Sequence, residues 1–560
     1  MLRYFFYILL FSLITENIAA QNIIWADKVV SYSSQSSNKI YSANQVLGKP
    51  NSLHHEESKV AWMPGRANAG LESITVSYNK SIIPKSIIVH ENLNPGSIFQ
   101  VIVSNEEKEW VVFENKKPFS SNKKASTTIF QVEKLKEPIN KVTLVLNTAA
   151  VFGFNQIDAI GISPNKIEDY TPEINIISNL YNKKPVNMGS SINSLYDDML
   201  PMLSPDGNTL YFARKNAPEN VGNKKNDDIY FSQWNSKKKQ WNPAQNIGNP
   251  LNNSYHNFVV SISPDGNTLY LSGTYDENSD RKGVSYSTFK NGKWSLPQTL
   301  DIKSYYNKSK YACYHIGVDQ RNMLMALERD DSYGDMDLYV SYHMGDNKWS
   351  APINLGNTIN TAGIEASVFL AADGKTIYFS SDGHAGYGGL DMFMSKRLDN
   401  SWQKWTEPIN LGPQINTPLW DVYYTISASG EYAFFSSENN AIGGHDIFQI
   451  ELPKELRPEP VTIVKANITL ENTQKSSTSP KEEITKQTTT IVTADEKPTS
   501  LYKSFKGYFP LETEEVKDDK KVDKSYLKEE DDYKNINLKT GEVLYQTEAD
   551  KKLYELQSKL

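Results

Sequence analysis

Ser263-Pro-Asp-Gly-Asn-Thr-Leu-Tyr-Leu271 repeats Ser204-Pro-Asp-Gly-Asn-Thr-Leu-Tyr-Phe212 almost residue for residue, and the pair decides the fold. Looser copies follow at Val318-Asp-Gln-Arg-Asn-Met-Leu-Met325, Ala372-Asp-Gly-Lys-Thr-Ile-Tyr-Phe379 and Ala428-Ser-Gly-Glu-Tyr-Ala-Phe-Phe435. The Asp of each turn, or its substitute, falls at 206, 265, 319, 373 and 429, a spacing of 54 to 59 residues. Each copy reads as a strand, a tight turn whose Gly supplies a positive φ, and a second strand. A third strand begins at Asp228, Asp337, Asp391 and Asp446, and a Trp-centred fourth follows at Trp241, Trp294, Trp349 and Trp405. Four short strands at this period make one propeller blade, because each small sheet can bury its faces only against its neighbours. Five copies predict a five-bladed β-propeller over residues 184–455.

The ring also shows how it closes. Pro185-Val-Asn-Met-Gly-Ser-Ser-Ile-Asn193 matches Pro352-Ile-Asn-Leu-Gly-Asn-Thr-Ile-Asn360 and Pro408-Ile-Asn-Leu-Gly-Pro-Gln-Ile-Asn416 but stands ahead of the first full copy. The last copy ends near Leu452 without such a stretch, so its outer strand is predicted to come from the front of the array. The second copy departs from the pattern, with Gly283-Val-Ser-Tyr286 where the Asp-led strand belongs. The third lacks the Pro-Asp-Gly turn.

Outside the ring the chain changes character. Residues 1–20 run from Arg3 through an apolar stretch to Ala19 and Ala20, the layout of a signal peptide, and the apolar run is too short to span a bilayer. An exported chain would usually spend cysteines on disulfides, yet Cys313 is the single cysteine and sits in an apolar, aromatic run, where it reads as a small buried hydrophobe. Residues 21–165 carry strand-like alternation at Ser73–Ser77, Ser86–His90, Phe99–Val103, Thr127–Val132 and Lys141–Leu146, which predicts a β-sandwich. Residues 166–183 read as a linker. The last hundred residues hold 17 Lys and 19 Asp plus Glu with no Trp, Met, His, Cys or Arg, so 456–560 read as a charged, largely disordered tail able to dock on a partner. The chain has 59 Lys plus Arg against 66 Asp plus Glu, a net charge of −7, which argues against nucleic acid as a partner.

Two resemblances add to this all-β reading. Ala43-Asn-Gln-Val-Leu-Gly-Lys-Pro-Asn51, Ala61-Trp62, Asn94-Pro-Gly-Ser97 and Asn155-Gln-Ile-Asp-Ala-Ile-Gly161 resemble the galactose-binding-like, discoidin-like jelly-roll module. With the ring motifs, the run Ile23–Leu452 is similar to the front part of OmpA-family envelope proteins of Bacteroidota, whose propeller repeats are called PD40, or WD40-like Tol-type. That resemblance implies a periplasmic or outer-membrane-associated protein of a Gram-negative cell. Nothing after Val461 resembles the OmpA-like domain that usually follows, so peptidoglycan binding is not implied.

Five residues beyond the repeated Asn193, Asn252, Asn307, Asn360 and Asn416 lie Asp198, Asn257, Ala312, Glu365 and Asp421, at the entry to each innermost strand. Asp198, Asn257, Glu365 and Asp421 are therefore candidate axial binding residues, for sugar hydroxyls or a cation; the competing role is to accept backbone N–H groups where strands crowd the axis. Asp228, Asp337, Asp391 and Asp446, repeated blade by blade, read as turn-fixing. In the sandwich, Trp62, Arg66, His90 and Asn92 are candidates for a glycan site. Asp276, Asn278 and Asp280 imitate the start of a calcium loop, but Arg281 replaces its sharp-turn Gly. The reading is a non-enzymatic envelope scaffold for a protein or glycan partner, without transmembrane span, catalytic residues, metal or cofactor. The alternative is a carbohydrate-active protein, lectin or glycosidase, working at the propeller axis.

Overall fold

The computed structural model describes residues 22–117, 124–177, 183–275, 282–437, 441–459, 464–465 and 490–491. The expected signal peptide, the calcium-like loop and nearly all of the expected tail lie outside the described residues. The described part of 22–459 falls within one compact unit.

The first layer pair is a sandwich. One sheet orders Ile24–Trp25, Gln156–Ser163, Ser86–Leu93 and Ser126–Gln131; the other orders Lys28–Tyr32, Leu71–Ile82, Ile139–Asn147, Ile98–Ser104 and Glu109–Glu114. Alternation sets which face is inside: Ile74, Val76 and Tyr78 of one long strand and Val142, Leu144 and Leu146 of its partner are buried in a common core with Ile87, Val89, Ile160 and Trp62.

Five antiparallel sheets then follow in sequence, each led by its innermost strand. In the first, Asp197–Leu203, Thr209–Lys215, Asp227–Asn235 and Gln245–Asn246 pair in that order. The second is led by Val259–Ile262, the third by Cys313–Ile316, the fourth by Glu365–Leu370 and the fifth by Thr425–Ile426. The fifth sheet is completed by Val186–Asn187, with Val186 opposite Gln449 and Asn187 opposite Phe448, so the outer strand of the last blade does come from ahead of the first. The innermost strand of blade 1 packs against both blade 5 and blade 2. The predicted fourth strand differs in detail. Trp241, Trp294 and Trp349 sit in short pairings with the far end of the third strand, and the outer strand proper starts only after Pro243, Pro297 or Pro352. Proline has no N–H to give the ladder, so the pairing breaks there and resumes beyond it. At the strand-one turns Gly266 holds φ +72, and blade 3 puts Gln320 into the same left-handed region at φ +57.

What secures the outer strand in four of the blades is a trio of polar side chains: a buried asparagine, a buried aspartate and a bridging asparagine that is half-buried in three of the four. In blade 3, Leu338 N–H donates to Asn360 Oδ1 at 2.7 Å, while Asn360 Nδ2 donates to Leu338 O at 3.0 Å and to Asn354 Oδ1 at 2.8 Å. Asn354 Nδ2 in turn donates to Asp337 Oδ2 at 2.7 Å, and that oxygen also accepts Tyr333 N–H at 2.8 Å. The trio recurs as Asn410, Asn416 and Asp391 in blade 4 and as Asn246, Asn252 and Asp228 in blade 1. Blade 5 uses Asn187, Asn193 and Asp446, so the same bonds fasten the closing strand. Blade 2 has no Asp at that place, and its edge instead sends Asp301–Ile302 into parallel pairing with Lys348–Trp349 of blade 3.

Neighbouring blades also meet backbone to backbone. A Cβ on Gly388 would lie 2.3 Å from the Pro418 carbonyl carbon, and one on Gly443 would lie 2.5 Å from that of Leu195. Gly443 belongs to blade 5 and Leu195 leads into blade 1, so this close approach is part of the closure.

Asn193→Ala leaves the buried Ile447 N–H without its acceptor and should cost on the order of 3 kcal/mol in chemical denaturation. Gly443→Ala should cost roughly 1 to 3 kcal/mol by overpacking the same junction. Unchanged midpoints for both would show that the closing strand contributes nothing to stability.

Candidate functional site

The antiparallel order of the sheets puts the loops entering each innermost strand at the same end of the ring as the loops entering each third strand. This end, the loop face, is where Asp198, Asn257, Glu365 and Asp421 lie, each in or just ahead of its innermost strand.

Each of the four spends its side chain inside its own blade. Asp198 Oδ2 accepts Ser194 N–H at 2.6 Å and the Ser194 hydroxyl at 2.7 Å, and its Oδ1 accepts from Arg214 Nε at 2.6 Å. Asn257 Oδ1 accepts Asn253 N–H at 2.8 Å. Glu365 accepts Thr361 N–H at 2.8 Å and the hydroxyls of Thr361 and Ser381, both at 2.7 Å. Asp421 Oδ2 accepts Thr417 N–H at 2.6 Å. The position thus closes a turn onto the residue four back. Its own N–H then reaches across to the preceding blade: Asp198 to His445 O, Asn257 to Asp227 O, Glu365 to Met336 O and Asp421 to Leu390 O, at 2.6 to 2.8 Å. The four side chains are buried and serve separate blade junctions. Burial pushes the Asp198 carboxyl up to about 6 against the pull of Arg214, and pushes Glu365 and Asp421 well above the ordinary carboxylate range.

The sandwich candidates divide. Arg66 is exposed, while Trp62, His90 and Asn92 are buried. Trp62 Nε1 donates to Ser34 O at 3.0 Å. His90 is hydrogen-bonded to Thr127 Oγ1 at 2.9 Å and to Ser52 O at 3.3 Å, and Asn92 Nδ2 donates to Glu56 O at 2.9 Å. His90 and Asn92 therefore hold the loop 51–58 from beneath. That loop lies on the ring: Asn51 Nδ2 donates to Gly383 O and His54 Nε2 bonds to Gly386 O, both at 3.1 Å. Lys59 pairs with Asp335, and Lys39 Nζ donates to Ser332 O at 2.7 Å. The sandwich so covers the loop face of blades 3 and 4. The expected linker is placed along its described length: Asn175 Nδ2 donates to Pro408 O at 2.8 Å, and Ile176 forms a bridge with Asn410 at the outer edge of blade 4.

On the remaining loop face, apolar side chains stand in solvent. Leu195 is 77% exposed at the entry to blade 1, Tyr255, Leu419 and Trp420 are exposed at the equivalent loops of blades 2 and 5, and Ile442 is exposed in the loop that enters the third strand of blade 5. Sequence reading did not single these out, since an isolated apolar residue in a loop carries no periodic signal. The axis itself is a small cavity of about 70 Å³ walled by the innermost strands. Among the described residues no group of three or more His, Cys, Asp or Glu is placed to hold a metal ion. Nor is any described helix long and apolar enough to cross a membrane.

No protein-family model matches the chain, and no curated protein does. Among solved structures, the WD40 repeats of RRP9 align over 49% of this chain and 98% of their own, at 10% identity and a TM-score of 0.27. An α-L-arabinofuranosidase from Lactobacillus brevis aligns over 47% and 93%, at 12% identity and a TM-score of 0.31. An N-acetylgalactosamine deacetylase from F. plautii aligns over 49% and 94%, at 12% identity and a TM-score of 0.28. These neighbours correct one expectation. A non-enzymatic protein was expected, with a glycosidase as the alternative, but enzymes stand among the structures that align with this chain, so that expectation is withdrawn. At such identities and scores the likeness itself carries no activity over to this chain.

The trios make a pH prediction. Burial raises the Asp337 and Asp391 carboxyls from an ordinary value of 3.8 up to about 6. The folded state then binds more protons than the unfolded one between those values, so stability falls as pH rises from about 4 to about 6. The loss should be on the order of 2 kcal/mol for each of the two carboxyls. Asp391→Asn, which keeps an acceptor for Tyr387 N–H and Asn410 Nδ2, should remove its share, about half, of that slope in denaturation series at pH 4.5 and 7. An unaltered slope would remove Asp391 from the account.

Proposed function

We propose that the chain is a binding scaffold of the cell envelope, in which the ring presents its uncovered loop face to a protein partner. The observation that carries this reading is the set of exposed apolar side chains on blades 5, 1 and 2, next to the stretch of the same face that the sandwich already occupies. Isolated exposed apolar residues are ordinary; several on one rigid face, most of them on structurally equivalent loops, fit a recognition surface. Export is supported by the layout of residues 1–20, and a place in the envelope by the similarity of Ile23–Leu452 to the front of OmpA-family proteins. The charged segment after Val461 would offer the partner a second point of attachment. The four axial polar residues support a structural role here, because their side-chain atoms already bond within their own blades.

A photo-crosslinking residue at Leu195 or Leu419 in the full chain should trap a partner in envelope preparations. The same residue at Met344, exposed in the hairpin at the opposite end of the ring, should not. Leu195→Asp with Leu419→Asp should lower the yield at least several-fold while leaving the denaturation midpoint unchanged. Equal adducts from Met344, or none from the loop face, would overturn the reading.

A further inference from the structure

The axial cavity carries an inference of its own, independent of the loop face. Every blade contributes its innermost strand to the wall, through Met202, Val260, Cys313, Phe369 and Tyr423 among others. No Asp, Glu, Lys or Arg lines it. His315, also in the wall, bonds to Val260 O and Leu370 O, both at 3.2 Å, and burial lowers it to about 4, so it is neutral. Burial likewise pushes the Cys313 thiol up to about 11, so it stays protonated. An ion entering this space would lose its water and meet no opposite charge.

Two features of the wall bear on what it could hold. The Tyr423 Oη and the Thr425 Oγ1 are buried in it without a hydrogen-bond partner among the described residues, and both side chains are more than nine-tenths buried. Each such hydroxyl costs free energy unless something accepts its proton. The backbone is also strained at the same repeat position in three blades. Leu200, Ser367 and Tyr423 each lie two residues beyond Asp198, Glu365 and Asp421, and hold φ of +55, +46 and +61. A left-handed non-glycine residue costs roughly 1 to 2 kcal/mol, and such strain gathers at binding sites. In blades 1 and 4 it coincides with a bulge that interrupts the inner strand.

We propose that this axial cavity binds a small uncharged molecule, apolar over most of its surface, that carries one oxygen able to accept a hydrogen bond from the Tyr423 hydroxyl. The apolar wall accepts the carbon skeleton, and the orphaned hydroxyls select an oxygen over bare hydrocarbon. The space is small, so it suits only a compact molecule of few heavy atoms.

Cyclopentanone and cyclopentane are matched probes for the test, since they differ by that oxygen. The full chain with ¹³C-labelled methionine methyls is titrated with each, following Met202. Cyclopentanone should shift the signal saturably and bind roughly tenfold tighter than cyclopentane, the worth of one neutral hydrogen bond. Tyr423→Phe should abolish that preference while still binding both. Thr425→Val serves as the second variant and should reduce the preference less. The single thiol, Cys313, gives an independent reading: saturating ketone should slow its modification by a small alkylating reagent. No saturable shift with either probe would overturn the proposal. Equal affinity for the two, or a preference that survives Tyr423→Phe, would overturn the assignment of the hydroxyl.

Discussion

The ring depends on two asparagines and an aspartate, bonded together at the outer edge of four of its five blades. An outer strand of two residues makes too few ladder bonds to hold itself, and the proline ahead of it removes another. The trio supplies what is missing. One asparagine clasps both backbone groups of a residue in the third strand, the second asparagine bridges, and the aspartate gathers the turn that begins that strand. Its carboxyl is buried at a cost that the raised pKa records, so the polar network gives a defined register at some expense of net stability.

The same economy governs the axis and the sandwich. The acids and amide at the entry to the innermost strands fasten one blade to the next through their backbone N–H groups, while their side chains shape the turn that brings those groups into reach. His90 and Asn92 do comparable work below the loop that touches blades 3 and 4. Polar residues that sequence logic marks as ligands are thus largely spent on geometry. Buried polar atoms without a partner among the described residues occur also on Tyr423 and Thr425 at the centre of the ring.

Most of the ring was legible because its signals are repeated. Five turns at a near-constant period, and the stretch Pro185–Asn193 displaced to the front, were enough to predict both the sheets and their closure. The split of the outer strand at Trp and Pro was not, because a proline's effect depends on which neighbour its missing N–H would have met. In the sandwich, alternation found Leu71–Ile82 and Ile139–Asn147 in part but missed Glu109–Glu114, where four apolar residues run together between two glutamates. The candidate site was half legible. Spacing located Asp198, Asn257, Glu365 and Asp421 at the axis end of each blade, but spacing cannot say whether a carboxylate faces an opening or its own backbone. The left-handed residues at Leu200, Ser367 and Tyr423 left no trace, since none is glycine or asparagine.

The borrowed edge at Val186–Asn187 also constrains how the chain can be made. A nascent polypeptide carries this strip early, yet its pairing partner, Asp446–Glu451, is the last part of the ring to be synthesised. Until then the array has two raw flanks, one at each end, and any product cut short before that point keeps them. Such a fragment is not a smaller ring but an open stack with unpaired edges, the kind of species that associates with copies of itself. Closure of the ring therefore waits on the synthesis of Asp446–Glu451 and on nothing earlier.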